Sequence, residues 1–386
     1  MNSVIAILFG TLITFPTLFY FLQTGKSINN YKGLIERFGH KLEKNEVITK
    51  DGYILSLWHL IPNFVVNINK VIYLQCGFAN SGLCYFYLED KSLPYLLQER
   101  GYDVWIGNNR GSEPCLKHIS KDSSKSTGDF WDFSMDDFIK YDIISEINYI
   151  KNRTNAKKVD FIGYSEGSAL FLMLYMDNPN YVESSIKKFV SIGTVPNLSN
   201  VTVSLTELID KVYGLLKISE IFTKVLKVND GERAAIKSAY KANPKYFLKL
   251  FREKGLISNR TDYDGLSKFF AHYPTSTSIY NLYHWEKIQE KGKLVYYNPR
   301  SENSNELKEY DLNVLKKWKI KAFISRSLTD SYSSYNEVTK LYENIENKSL
   351  VTIFDSTGFA HLDYALAKSA YEDFYFPLVN FLDNKN

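Results

Sequence analysis

Gly163-Tyr164-Ser165-Glu166-Gly167 sets one hydroxyl between two glycines, just after a short apolar run at 159–162 and just before another at 168–176. Such a G-x-S-x-G pattern suits a sharp strand-to-helix turn in which only small neighbours fit and the serine is presented as a nucleophile. A serine hydroxyl attacks poorly until a base removes its proton and a carboxylate orients that base. Downstream, Asp330 lies a few residues past the apolar run 321–324, and His361 a few residues past the run 350–354. His361 is the only histidine after residue 284. The alternative reading is a plain Gly-rich turn with an unrelated surface Asp and His. The order Ser, Asp, His and the strand-end positions favour ester or acyl chemistry, since open parallel sheets place their sites at the C-terminal ends of strands. Asp355 and Asp363 compete for the acid role, but as neighbours of His361 in its own loop they reach its far ring nitrogen poorly. Charge that develops on the attacked carbonyl oxygen needs backbone N–H donors. Glu166, the residue after the nucleophile, supplies one, and Phe78 in the Gly-rich loop 76–82 supplies the other.

Elements able to position these residues are legible around them. Segments 46–49 and 53–60 read as two strands joined at Asp51-Gly52, a strong hairpin signal. Short apolar runs at 71–75, 103–106, 159–162, 189–192, 321–324 and 350–354 suit strands buried on both faces. Helical stretches lie between several of them. The clearest starts at Ser134, with Asp137 as capping-box partner and Ile143, Ile147 and Ile150 on one face. Alternating strands and helices predict an α/β fold with a mostly parallel sheet flanked by helices. The alternation lapses at 196–310, where Leu205, Leu208, Ile209, Val212, Leu215 and Leu216, then 246–251 and 266–270, repeat at helical spacing. An inserted helical cap accounts for this. The expected organisation is a targeting segment at 1–25, the first part of the core at 26–195, the cap at 196–310 and the second part of the core at 311–386.

Residues 4–22 are almost wholly apolar, with the first charged side chain after them at Lys26. They read as a signal peptide, or as an anchor retained in the membrane, and imply the secretory pathway, with a secreted or lysosome-like destination. Five N-x-S/T sequons, at Asn152, Asn197, Asn200, Asn259 and Asn347, agree with that route. A net charge of +4 over 386 residues, with no run of five or six basic side chains, excludes a nucleic-acid partner. Three cysteines, Cys76, Cys84 and Cys115, define no disulfide framework. The six histidines are far apart and form no metal-ligand pattern, so no structural or catalytic metal is expected.

Several blocks are more specific than the pentapeptide. They include Glu46-Val47-Ile48-Thr49 with Asp51-Gly52-Tyr53, Leu74-Gln75 to Gly77, 101–108 with Arg110-Gly111, and 130–134. Tyr141-Asp142, Pro274 to His284-Trp285 and His361-Leu362-Asp363 continue the set. In these the chain resembles the acid lipase family of the α/β-hydrolase fold, from about residue 38 to the C-terminus. The resemblance implies a triad of Ser165, Asp330 and His361, oxyanion donors at Phe78 and Glu166, a lipid-binding cap and no cofactor. It also implies neutral-lipid substrates, triacylglycerols or sterol esters, met at a lipid–water interface. Two departures touch the supporting residues. Cys76 stands where the family usually has His, and Tyr164-Ser165-Glu166 replaces its His-Ser-Gln. An ionised Glu166 would set its charge beside the developing oxyanion and weaken it. Other readings of the same pattern are a carboxylesterase for small soluble esters and a lipid-binding hydrolase-fold protein without turnover.

Overall fold

The computed structural model describes residues 31–198, 201, 223–228, 230–300 and 307–384. The apolar segment 4–22, the helical positions from Leu205 to Leu216 and the sequon at Asn200 lie outside these residues.

The first two strands, β1 (Lys41–Ile48) and β2 (Tyr53–Ile61), pair antiparallel across the Asp51-Gly52 turn, with Ile48 opposite Ile54. In β1, Leu42 and Val47 are buried while its remaining side chains face outward, as befits the edge of a sheet. Next come β3 (Val71–Gln75), helix α1 (Leu93–Glu99) and β4 (Asp103–Gly107). A two-residue strand, β5 (Lys117–His118), pairs with the start of β2. Helix α2 (Ile143–Thr154), β6 (Val159–Tyr164), helix α3 (Glu166–Asp177) and β7 (Ile186–Ile192) follow. Every residue of β3, β4 and β6 is buried, which explains why these strands are continuous apolar runs with no alternation.

Beyond β7 the described residues hold β8 (Val225–Leu226), helices α4 (Asp230–Ala242), α5 (Pro244–Glu253) and α6 (Tyr263–His272), β9 (Thr277–Ser278) and helix α7 (Ile279–Lys291). The sheet then resumes with β10 (Lys321–Arg326), helix α8 (Tyr335–Glu343), β11 (Val351–Asp355) and a closing helix α9 (Phe376–Leu382). Strand order is β1-β2-β4-β3-β6-β7-β10-β11, with β1, β2 and β5 antiparallel and the run from β4 to β11 parallel. This is the expected mostly parallel sheet of an α/β-hydrolase fold.

Local differences from the sequence reading have physical causes. The apolar run 159–162 extends as strand through Gly163 and Tyr164, and α3 begins at once with Glu166, so Ser165 alone makes the turn. At Ser134 the expected capping box is present: Asp137 accepts the Ser134 N–H at 3.0 Å and the Ser134 side chain faces the Asp137 N–H, while the hydroxyl also donates to the Tyr297 carbonyl. The helix then widens into a π turn (Phe138–Asp142) before α2, ending on the carboxylate that holds Arg110. The stretch expected to be helical also contains a short antiparallel pair, β8 with β9. Two residues per strand are too few to leave a period-2 pattern in sequence.

The separated sequence blocks meet in one buried hub. Arg110, 1% exposed, donates from Nε to Asp142 (2.8 Å) and from Nη2 to Asp51 (2.9 Å), with its guanidinium 3.9 Å above the Tyr53 ring. Removing one partner of such a buried pair costs about 3–5 kcal/mol, because the other charge is left uncompensated. Ser276 and Ser278 donate from the β9 region to the carbonyls of Gly111 and Trp131, fastening the inter-strand insertion to this hub. Among the described residues no helix is long and apolar enough to cross a membrane.

Candidate active site

All the singled-out residues sit at the ends of parallel strands. Ser165 follows β6, Phe78 follows β3, Asp330 follows β10 and His361 follows β11. Ser165 has φ 55° and ψ −116°, a left-handed conformation that an L residue adopts only when its surroundings enforce it. Its N–H donates to the Ile192 carbonyl at the end of β7 (2.9 Å), and its carbonyl accepts from the Ser168 N–H (2.9 Å) and hydroxyl (2.6 Å). The glycine at 167 is required by approach. A Cβ there would lie 2.3 Å from the Gln75 carbonyl oxygen, so any side chain would drive α3 off the β3 loop. Gly77 is tight but less so on the other side, where a Cβ would stand 3.1 Å from that of Ser165.

The structure brings the three distant residues into one hydrogen-bonded chain. Ser165 Oγ lies 2.7 Å from His361 Nε2, and His361 Nδ1 lies 3.0 and 3.1 Å from the two oxygens of Asp330. Asp330 Oδ1 also accepts the N–H groups of Tyr332 (2.9 Å) and Ser333 (2.8 Å), which fixes the carboxylate on its own loop. Asp330 and His361 are buried while Ser165 is partly open, so the hydroxyl faces the accessible side. The competing acids are engaged elsewhere. Asp355 pairs with Arg326, and Asp363 accepts from Ala360 N–H, Ser258 N–H and the Thr261 hydroxyl. Among the described residues, the N–H groups of Phe78 and Glu166 donate to no protein acceptor, leaving both for a ligand oxygen.

Sequence reasoning missed the supports. Tyr164, in the family's His position, donates its hydroxyl to the His361 carbonyl (2.9 Å), tying the turn to the histidine loop. Residues 255–261 brace that loop further: the Leu256 carbonyl accepts from Leu362 N–H (2.7 Å), and Gly255 packs against Ser331 beside the acid. The Thr275 N–H donates to the Ala79 carbonyl (2.8 Å) in the loop that carries Phe78. The exposed-looking Asp363 was the one signal in sequence for such bracing, since a carboxylate next to His361 needed partners of its own.

The two departures are both buried. Cys76 donates its thiol to the Asn80 carbonyl (3.4 Å), and burial pushes its pKa well above the usual thiol range, which makes it an inert packing group. Cys84 and Cys115 are likewise free and buried. Glu166, 1% exposed, turns its carboxyl toward α7, where one oxygen accepts from Trp285 Nε1 (2.7 Å) and Asn281 Nδ2 (3.2 Å). Burial raises this carboxyl to about 7, against which the two N–H donors pull it down. The expected charge beside the oxyanion is therefore absent at acidic pH. No group of three or more His, Cys, Asp or Glu side chains among the described residues could hold a metal ion.

The chain is similar in sequence and in fold to known hydrolases and lipases. A model of the alpha/beta hydrolase fold matches residues 69–363, and one of a partial alpha/beta-hydrolase lipase region matches residues 31–88. Gastric triacylglycerol lipase of Rattus norvegicus is 27% identical, over 92% of this chain and 91% of its own. That of Mus musculus is 31% identical over 70% and 69%. Lysosomal acid lipase/cholesteryl ester hydrolase of Homo sapiens is 30% identical over 72% and 70%. Among solved structures, a Sulfolobus solfataricus protein superposes with a TM-score of 0.57 at 14% identity, covering 89% of this chain and 99% of its own. A serine hydrolase of Cycloclasticus zankles gives 0.51 at 12% identity, covering 89% and 98%. These structural likenesses concern the fold alone.

Proposed function

The chain belongs to the acid lipase family of alpha/beta hydrolases, and from that premise we propose that it hydrolyses the ester bonds of neutral lipids, triacylglycerols or sterol esters, through an acyl-enzyme on Ser165. The observation that carries the reading is the unbroken hydrogen-bonded chain from Ser165 Oγ through His361 to Asp330. In this reading His361 Nε2 takes the hydroxyl proton as Ser165 attacks the ester carbonyl, while Asp330 holds the Nδ1–H and stabilises the imidazolium that forms. Phe78 and Glu166 N–H groups receive the oxyanion, the alcohol leaves with the proton from His361, and water reverses the sequence to free the fatty acid.

The same proposal assigns residues 196–310 as a cap over Ser165 that carries the lipid-facing surface. Its contacts to Glu166, to the Phe78 loop and to the turns bearing Asp330 and His361 support that role. A secreted or lysosome-like compartment fits the apolar segment 4–22 and the gastric and lysosomal designations of the relatives. Ser165→Ala tests the chemistry, because removing one oxygen leaves neither a cavity nor a clash at the turn. The purified variant is expected to keep the wild-type circular dichroism and melting temperature and to lose hydrolysis of emulsified long-chain esters by up to about a million-fold. A folded variant that retains more than a few per cent of the rate, far above the residue expected after loss of a nucleophile, refutes the assignment.

A further inference from the structure

Glu166 is the one carboxyl in the turn that bears Ser165, and its setting is unusual for a carboxylate. One oxygen is held by two neutral donors, Trp285 Nε1 and Asn281 Nδ2, and the other has no hydrogen-bond partner although it is fully buried. Among the described residues no Lys, Arg or His side chain pairs with it. The groups that face it are neutral: the Cys76 thiol from the β3 loop, the Tyr273 hydroxyl from the end of α6, and Asn281 and Trp285 from α7. His361 stands across Ser165 with Asp330 behind it, and the N-terminal end of α3 lies at Glu166 itself. A buried carboxylate without a cation is costly, and the neutral acid avoids that cost while one oxygen still accepts from Trp285 and Asn281.

We propose that Glu166 is a positioning residue that works in its protonated form, joining the nucleophile turn to α7, and that loss of its proton slows acylation of Ser165. The proposal rests on the serine-hydrolase reading above. When the proton leaves, a negative charge arises on the very residue whose N–H must receive the developing oxyanion. The Trp285 and Asn281 donors grip the ionised carboxyl more tightly than the neutral one, so the charge stays beside the turn. The rise of the carboxyl to about 7 by burial sets the range in which this happens, just above the acidic range. Glutamine, the residue usual in the family, cannot titrate, so the response depends on the glutamate at this position.

The test is the pH dependence of kcat and KM for wild type and Glu166→Gln on a soluble short-chain ester, between pH 4 and 9. The soluble substrate separates the turn from events at a lipid surface. In wild type kcat/KM is expected to fall roughly tenfold or more on the alkaline side, the scale of a nearby charge at an effective dielectric of about 20. Whatever its rate at pH 5, the variant is expected to lose that alkaline limb while its profile on the acidic side stays parallel to that of wild type. A second readout does not use turnover: the infrared difference between wild type and variant should show the carbonyl band of a protonated buried carboxyl at pH 5, disappearing as the alkaline limb develops. An alkaline limb of equal size in the variant, or no such band at pH 5, overturns the proposal. If wild type cleaves no ester, or Ser165→Ala is as active as wild type, the underlying reading falls and takes this one with it. With those two controls as expected, failure of the limb or the band counts against Glu166 alone.

Discussion

Raising the pH from 4.5 to 8 should destabilise the wild-type protein relative to Glu166→Gln by an amount that follows from the burial of one carboxyl. A glutamate carboxyl free in water titrates at 4.5, whereas burial holds this one at about 7 in the folded chain. Between those values the native state keeps the proton that the unfolded chain has lost, so unfolding stability falls with rising pH. Stability from the protonated acid is fully present below pH 4.5, declines through the interval and is gone above about 7. A shift of this size corresponds to about 3 kcal/mol, and because the group is fully buried, solvent screening requires no discount. For 386 residues at ~2.1 cal/mol/K each, the unfolding entropy is about 0.8 kcal/mol/K, so the expected change in Tm is about 4 °C. Other buried acids titrate nearby, Asp142 and Asp160 at about 6 and Glu146 at about 8, and they act on both proteins alike. The quantity to follow is therefore the wild-type minus variant difference in Tm and in urea midpoint, measured at half-unit steps of pH. Glutamine keeps an oxygen for the Trp285 and Asn281 donors, so a constant offset is immaterial and only the slope matters. A difference that stays flat across the interval would refute the claim that Glu166 is buried as a neutral acid.

The remaining expectations concern the turn and the acid. Asp330→Asn should leave the loop in place, since its amide oxygen can still accept from Tyr332 and Ser333, yet kcat should fall by about four orders of magnitude because His361 loses the acceptor that fixes its tautomer. Steady-state kinetics with circular dichroism as a folding check decides it, and a loss under about tenfold, equivalent to little more than 1 kcal/mol in the barrier, would remove Asp330 from the proposed triad. Gly167→Ala should cost about 1–3 kcal/mol in urea unfolding, because the new Cβ meets the Gln75 and Cys76 carbonyls, backbone atoms that cannot swing away. Its kcat should drop as well, since relief of the clash moves the Phe78 loop away from Ser165; unchanged stability and rate would show that α3 is not pressed against that loop.

Much of this molecule is written in short-range pattern. Central strands buried on both faces must be continuous apolar runs, and β3, β4 and β6 accordingly stand out in the sequence, as do the hairpin at Asp51-Gly52 and the small residues around Ser165. The order Ser165, Asp330, His361 was readable because each lies at a strand end, where a parallel sheet gathers its loops. Edges and ends were less legible: β5, β8 and β9 have two residues each and carry no periodicity. What the sequence could not decide is which side chains from remote segments reach the turn. Glu166 looked like a charge beside the oxyanion, and only the packing of α7 turns its carboxyl onto Trp285 and Asn281, well over a hundred residues away in the chain. Asp363 looked like a rival for His361, and its oxygens are taken up by the Ala360 N–H and by residues 258–261, which the fold brings against this loop. Such contacts depend on desolvation and on the relative position of elements far apart in the chain. Residue type and spacing fix the chemistry a group can perform, while burial and its partners fix the protonation state in which it performs it.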